Sequence, residues 1–437
     1  MSSQTLPAIF EKTTFTRLKE EDQLAIKSFH DKLDFSVQHL QQLCEAARDL
    51  EMWREIEMHQ LLSQEYSKLS VKMNTRQMCS QLAKKVIAEV QALRSNIKVY
   101  PEKALPPPNR NPQKIAVTDS ERKIMGDCPV YSDKLVCCQL KTIDAVQNCA
   151  FGCSYCTIQT FYGDEVSIDA NIYEKLIEEE FEPGKFHHVG TGQSSDALVW
   201  GNKGGILDSL MKVARAKPNV LLEFKTKSSN IKYFQEHEIP ENIVCSWSLN
   251  TETIVNNEEH FTAKLEKRLS SARKVSNLGI PIAFHFHPIV WYDGWKEEYT
   301  KLVHEVLEKF KPEEVLFVSF GSVTFIKPVI QKLRESGHQS KMLQMEMVPD
   351  PHGKLSYPDE VKVEIFQTMV DLFKPWDKKV FQYLCMERAY FWDQVWGSHY
   401  ASNEEFSLAF GQSVWPKVYR GHHKETLRSL FSFSGSE

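Results

Sequence analysis

The densest set of metal-binding side chains in the sequence lies in Asn148-Cys149-Ala150-Phe151-Gly152-Cys153-Ser154-Tyr155-Cys156. Its spacing is Cys-x3-Cys-x2-Cys. Three thiolates on one short loop can cap three irons of a [4Fe–4S] cubane and leave the fourth iron open to an outside ligand. Gly152 is expected to let the loop turn tightly inside the ligand set. Two other readings compete. A structural zinc needs four ligands, and the chain has no second Cys-x2-Cys; His187 and His188 lie over thirty residues away. The adjacent pair Cys137-Cys138 is poorly shaped to chelate one ion. The third reading is inert buried thiols, which is how Cys245 and Cys385, with no cysteine beside them in sequence, are read.

Other polar residues fall where strands are predicted to end. Ser195 and Asp196 follow a predicted strand at 186–190 and offer a hydroxyl and a carboxylate to a ribose or an ammonium; the same triplet Ser194-Ser195-Asp196 also makes an ordinary helix N-cap. Lys227 ends the next strand, either to pair with a carboxylate or as a solvated strand-end lysine. Period-2 alternation puts Ser246 and Ser248 on one side of a strand, and His285 and His287 on one side of another. The histidine pair reads as a polar substrate contact, as a proton relay or as satisfied core residues. Tyr155 packs beside the cluster or only within its own loop.

The elements that carry these residues follow from pattern. Residues 16–97 contain no glycine and repeat apolar positions at three and four, as in Leu33, Val37, Leu40, Leu43 and Ala47, which predicts helices. Five prolines between Pro101 and Pro112 form a linker. Short β-rich runs then alternate with amphipathic segments: 138–146, 186–190, 220–226, 243–249, 280–290 and 315–320. Six strand–helix units imply a parallel sheet, doubly wound or a partial barrel, with ligands at the C-terminal strand ends. Residues 341–347 and 354–357 flank Val348-Pro349-Asp350-Pro351-His352-Gly353 and predict a long-turned hairpin, followed by helices. The organisation expected is a helical region at 1–100, a linker at 101–115, a barrel at 116–340 and a C-terminal hairpin and helical region at 341–437. Charge sums to −5 over 437 residues, so no chain-wide basic field holds nucleic acid. No run approaches the roughly 18 to 20 apolar residues of a membrane span. The expectation is a cytoplasmic protein without a membrane partner.

The cysteine loop, with an aromatic residue before its last cysteine, is the signature of radical S-adenosylmethionine enzymes. Together with Ser194-Ser195-Asp196, Thr226-Lys227, Ser246-Trp247-Ser248-Leu249-Asn250 and Pro288-Ile289-Val290-Trp291-Tyr292-Asp293-Gly294-Trp295, it resembles the spore photoproduct lyase-like family over residues 135–375. That resemblance implies a partial (β/α)6 barrel. It implies a [4Fe–4S] cluster on Cys149, Cys153 and Cys156, with S-adenosyl-L-methionine near Tyr155, Ser195, Asp196, Lys227 and Ser248. Tyr155 becomes the candidate catalytic residue. The activity implied is hydrogen abstraction by a deoxyadenosyl radical from a pyrimidine lesion. DNA is the partner implied, and flavodoxin or ferredoxin the type of external electron donor. Two positions depart from the family. Its hydrogen-donating cysteine is Gln193 here, and a tyrosine after the last cluster cysteine is Thr157. The same initiation chemistry on a non-DNA substrate, and a noncatalytic metal-binding module, therefore stand as alternatives. The family's basic hairpin is matched by Lys341, His352 and Lys354, beside Lys327, Lys332 and Arg334, with Glu346 and Asp350 among them.

Overall fold

The glycine-free stretch forms four helices, Glu20–Leu33, Val37–Trp53, Met58–Ser67 and Thr75–Ser95. They break where capping residues stand. Ser36 accepts a bond from the His39 amide, and Asn74 and Gln77 form a reciprocal capping box. Asp34 and Arg54 end the two helices before them in the left-handed region. The computed structural model describes residues 10, 13–70, 72–128, 134–182, 185–350 and 353–419, and the chain packs as two units.

The first unit comprises Met1–Arg110, Trp291–Asp293 and Phe325–Tyr357. Its helices carry buried charge. Asp49, fully buried, takes both prongs of Arg334, from the helix Lys327–Ser336, at 2.8 Å each, and also takes Arg94. Glu55 accepts from Lys341 at 2.8 Å. The basic patch expected around the hairpin is thereby reduced, because Arg334 and Lys341 are engaged by carboxylates of their own unit. His352 lies outside the described residues. The hairpin pairs only Val348–Pro349 with Leu355–Ser356. Residues 341–347, predicted to be extended, instead begin with a turn from Lys341 to Gln344, whose side chains both reach Glu55.

The second unit comprises Asn111–Val290, Gly294–Thr324 and Pro358–Glu437. Its main sheet holds β1 (Met125–Asp127), β2 (Lys141–Ile143), β3 (His187–Thr191), β4 (Val220–Thr226), β5 (Ile243–Ser248), β6 (Ile282–Ile289), β7 (Val315–Ser322) and β8 (Phe381–Leu384). They lie side by side in that order. Neighbours from β2 to β8 run parallel, and β1 is antiparallel to β2. The helices Ile206–Ala216, Leu265–Asn277 and Trp295–Lys309 alternate with strands β3 to β7, as the pattern predicted. Val136, ahead of β2, and Glu387, after β8, form an antiparallel bridge, so the sheet curls into a half-barrel.

Three expectations are corrected. The run 138–146 is not one strand: β2 stops at Ile143, and Val146–Gln147 leaves to pair with Glu165–Asp169 in a small separate sheet. β1 and β8 were not predicted, being three and four residues long. Cys385, with no cysteine beside it in sequence, has Cys128, Cys137 and Cys138 among its electrostatic neighbours in space. Among the described residues no helix is long and apolar enough to cross a membrane.

Candidate functional site

The cysteine loop is held by its own backbone. Asn148 carries the left-handed φ of 73°, a conformation asparagine tolerates well. Gly152, expected to supply the turn, is instead in a short strand: Gly152–Cys153 pairs antiparallel with Glu259–His260. The Asn148 side chain donates to Gly163 O at 2.7 Å and Glu165 O at 3.0 Å, and accepts from the Cys149 amide at 2.8 Å. Ser154 N donates to Glu258 O at 2.8 Å, and Cys156 N to Cys153 O at 3.0 Å. These bonds fix where the loop sits without using a sulfur.

Burial, and then the charge of Asp196, pushes the Cys149 thiol up to about 12. Burial raises Cys153 as well, against the pull of Lys227. Such thiols bind a cationic group as thiolates, releasing their protons to solvent. Among the described residues no three His, Cys, Asp or Glu side chains surround a single point closely enough to grip one ion. A lone zinc, with bonds of about 2.3 Å, would need that closeness. A cubane takes each thiolate on a different iron, so the donor set fits the cluster better.

Tyr155 donates its hydroxyl to Glu259, a fully buried carboxylate that also meets Arg268. Arg268 is itself fully buried. It donates to Ala263 O at 2.8 Å, Ser248 O at 2.9 Å and the Thr262 hydroxyl at 2.7 Å. The phenol of Tyr155 is thus tied to a carboxylate, and its ring faces Lys227, whose Nζ is 5.7 Å from the ring centre. Burial and Glu259 raise the phenol's pKa well above its ordinary value.

The loop after β3 is pinned to the end of β4. Gly192 has φ +80°, and a Cβ there would lie 2.8 Å from the Ala197 amide, so only glycine fits. Asp196 is buried. Its Oδ1 accepts from Leu198 N at 3.0 Å, Val199 N at 2.9 Å and the Thr226 hydroxyl at 2.8 Å; its Oδ2 accepts from Lys227 N at 2.7 Å. Burial raises its pKa and these donors oppose that. Ser195 accepts from the Trp200 indole at 2.9 Å. Asp196 therefore builds the turn, and one Oδ2 lone pair remains for a ligand. Ser248, buried at the end of β5, has no hydrogen-bond partner for its hydroxyl among the described residues.

Electrostatic neighbours of Cys149 and Cys153 include Asp196, Lys227 and Glu259. The structure thus brings the cysteine loop together with Tyr155, Asp196 and Lys227. Asn250 is occupied elsewhere: it donates to Pro288 O at 2.9 Å and accepts from Tyr299 at 2.5 Å. Sequence reasoning missed Glu259, on a two-residue strand, and Arg268, a buried charge within a segment read only as an amphipathic helix. It also missed Glu223 and Lys225, whose signal was available as two charges alternating within the apolar run Val220–Thr226.

Residues 141–349 match the family model described as spore photoproduct lyase. The spore photoproduct lyase of Clostridium acetobutylicum is 27% identical over 197 residues, 43% of this chain and 58% of that protein. The one from a Geobacillus species is 23% identical over 245 residues, 52% of this chain and 71% of that protein. The chain therefore spans less than two thirds of the Clostridium relative's length. A solved spore photoproduct lyase complexed with dinucleoside spore photoproduct matches the fold with a TM-score of 0.52 at 20% identity, over 62% of this chain and 82% of that one. A mutant of such a lyase with bound AdoMet and dinucleoside spore photoproduct matches with a TM-score of 0.51 at 20% identity, over 62% and 81%.

Proposed function

We propose that the chain is a radical S-adenosylmethionine enzyme of the spore photoproduct lyase family that repairs a pyrimidine lesion in DNA. The observation that carries this reading is the pinned three-cysteine loop beside Asp196 and Lys227 at the C-terminal ends of parallel strands. Cys149, Cys153 and Cys156 would hold a [4Fe–4S] cluster, and Lys227, Ser195, Asp196, Ser248 and the Tyr155 ring would hold S-adenosylmethionine. When bound, the two groups would supply radical chemistry, cleavage of S-adenosylmethionine and hydrogen abstraction from the substrate. The residues bind and orient. Lys227 offers its ammonium to the methionine carboxylate. Ser248 offers an open hydroxyl, and the Glu259–Arg268 pair keeps the Tyr155 ring in place. The test is anaerobic reconstitution and reduction, followed by irradiated DNA. Release of 5′-deoxyadenosine with restoration of thymine is expected; cofactor cleavage without restored thymine sinks the DNA-repair part.

A second reading keeps the initiation chemistry and changes the substrate. Gln193, half-buried beside the Ser195–Asp196 turn, has no S–H to give. Gln193→Cys is expected to raise repair of spore photoproduct severalfold if that lesion fits. No repair in either form, with cofactor cleavage intact, favours the second reading.

Lys227→Ala is expected to weaken S-adenosylmethionine binding by roughly ten- to a hundredfold, about 1.5 to 3 kcal/mol for a charge-assisted bond. Iron content should not change. Titration of the cluster's electron-paramagnetic signal with cofactor measures this. Equal affinities in the two proteins would remove Lys227 from the site.

A further inference from the structure

We propose that His287 presents a bare ring nitrogen as a fixed hydrogen-bond acceptor, and so selects substrates carrying a ring N–H, such as the N3–H of a thymine ring. The inference rests on the proposed DNA-lesion reading for its ligand, but its structural half stands alone.

It starts from Glu223, on β4 and fully buried. Its carboxylate meets His285 Nε2 at 2.5 Å, His188 Nε2 at 2.9 Å and the Ser246 hydroxyl. Lys225, two residues along the same strand, supplies the opposite charge; although burial alone would raise Glu223, that charge and the hydrogen bonds from His188 and His285 hold it well below the usual carboxylate range. An ionised carboxylate only accepts, so His285 must carry its proton on Nε2. Burial keeps the ring neutral, its pKa lowered to about 4. His285 Nδ1 is then a lone pair.

Ser319 Oγ lies 2.5 Å from that lone pair and 3.1 Å from His287 Nε2. A hydroxyl has one proton. Spent on His285 Nδ1, it leaves Ser319 only lone pairs for His287, so His287 Nε2 must carry a hydrogen. Burial and the neighbouring cations keep His287 neutral too, well below the usual histidine pKa. A neutral ring with hydrogen on Nε2 has none on Nδ1. The ionised Glu223 thus dictates the tautomer of a side chain two hydrogen bonds beyond its own partner.

Two further observations fit this chain of bonds. His188, which also donates through Nε2 to Glu223, has a buried Nδ1 without a hydrogen-bond partner, as the same tautomer requires. At Gly321 a Cβ would come 3.2 Å from Cδ2 and Nε2 of His287, so the glycine leaves the imidazole its seat. Glu223, His188, Ser246, His285 and Ser319 are all buried. His287 alone of the relay is half-buried, near the C-terminal end of β6 where parallel sheets collect ligands. Thymine-type rings carry N3–H, whereas cytosine carries a lone pair at N3, and a site with a fixed acceptor rejects a ring that cannot donate.

The test has two arms. Nitrogen-15 NMR of histidine-labelled protein, with His287→Phe to identify the signal, is expected to show His287 protonated at Nε2 and bare at Nδ1. A proton on Nδ1 overturns the proposal whatever the enzyme's substrate. In the second arm, fluorescence anisotropy compares an oligonucleotide carrying a thymine photoproduct with the same lesion methylated at N3. Wild type should bind the methylated lesion about ten- to a hundredfold more weakly, and His287→Phe should bind both alike. Wild type that binds both alike, or neither, overturns the ligand half. Glu223→Gln adds an arm: an amide can donate to His285 Nε2, which reverses every bond and should move the His287 proton to Nδ1. If that variant does not fold, His287→Phe still decides. Failure of the repair reading would show separately, as absent thymine restoration with the His287 tautomer as stated.

Discussion

Alanine at Cys149, Cys153 or Cys156 is expected to abolish both cluster assembly and cofactor cleavage. Three thiolates at this spacing cap three irons, and with two the cubane lacks a protein ligand. The loop's position should survive, because its bonds run through Asn148, the Ser154 and Cys156 amides and the Gly152–Cys153 pairing, and only the long 3.5 Å contact from Phe151 N reaches a sulfur, that of Cys149. Each variant should therefore show unchanged circular dichroism, less iron and 5′-deoxyadenosine at background. Cys138→Ala and Cys385→Ala are the controls: those thiols are electrostatic neighbours of each other, not of the loop cysteines, and should leave iron content intact. A full [4Fe–4S] spectrum with normal cleavage in any of the three loop variants would show the ligand assignment to be wrong.

The contrast between these two sets of thiols also marks what the sequence made legible. Spacing along the chain is local, so the three loop cysteines stood out at once. Cys138 and Cys385 are 247 residues apart in sequence (385 − 138) and become neighbours only where the chain ahead of β2 meets the chain after β8. Strands β4 to β7 were readable because each is a largely apolar, buried run in a stretch that alternates with the helices Ile206–Ala216, Leu265–Asn277 and Trp295–Lys309. β1 and β8 were not, since three or four residues carry too little periodicity. Charge was the least legible quantity. Arg334 and Lys341 look like surface residues in sequence, yet both close ion pairs with carboxylates nearly three hundred positions away. In the same way Glu223 and Lys225 compensate each other within one strand, and without that pairing neither would be tolerated there.

Arg268→Leu is expected to be the most destabilising single change near the site. It leaves Glu259 buried and unpaired, a situation that costs about 3 to 5 kcal/mol. The damage reaches the cofactor region, because Glu259 pairs through its backbone with Cys153 and through its carboxylate with Tyr155. Arg268→Leu combined with Glu259→Gln removes the stranded charge while keeping an acceptor for the phenol, so it should recover much of the loss in urea unfolding. Equal destabilisation of the single and double variants would instead assign the cost to the lost bonds from Arg268 to Ala263 O, Ser248 O and Thr262. The pH dependence gives an independent sign. Burial pushes the Glu259 pKa up, but Arg268 and Lys227 outweigh it and hold it below the ordinary value. Its contribution in wild type is thus present above the ordinary carboxylate pKa and is lost as pH falls through the depressed one. Without Arg268 burial dominates, the folded pKa rises above the unfolded value, and protonation relieves the strain. The stability gap between wild type and Arg268→Leu should therefore narrow as pH is lowered from neutral toward the acid range. A gap independent of pH would mean that Glu259 is not the group left uncompensated.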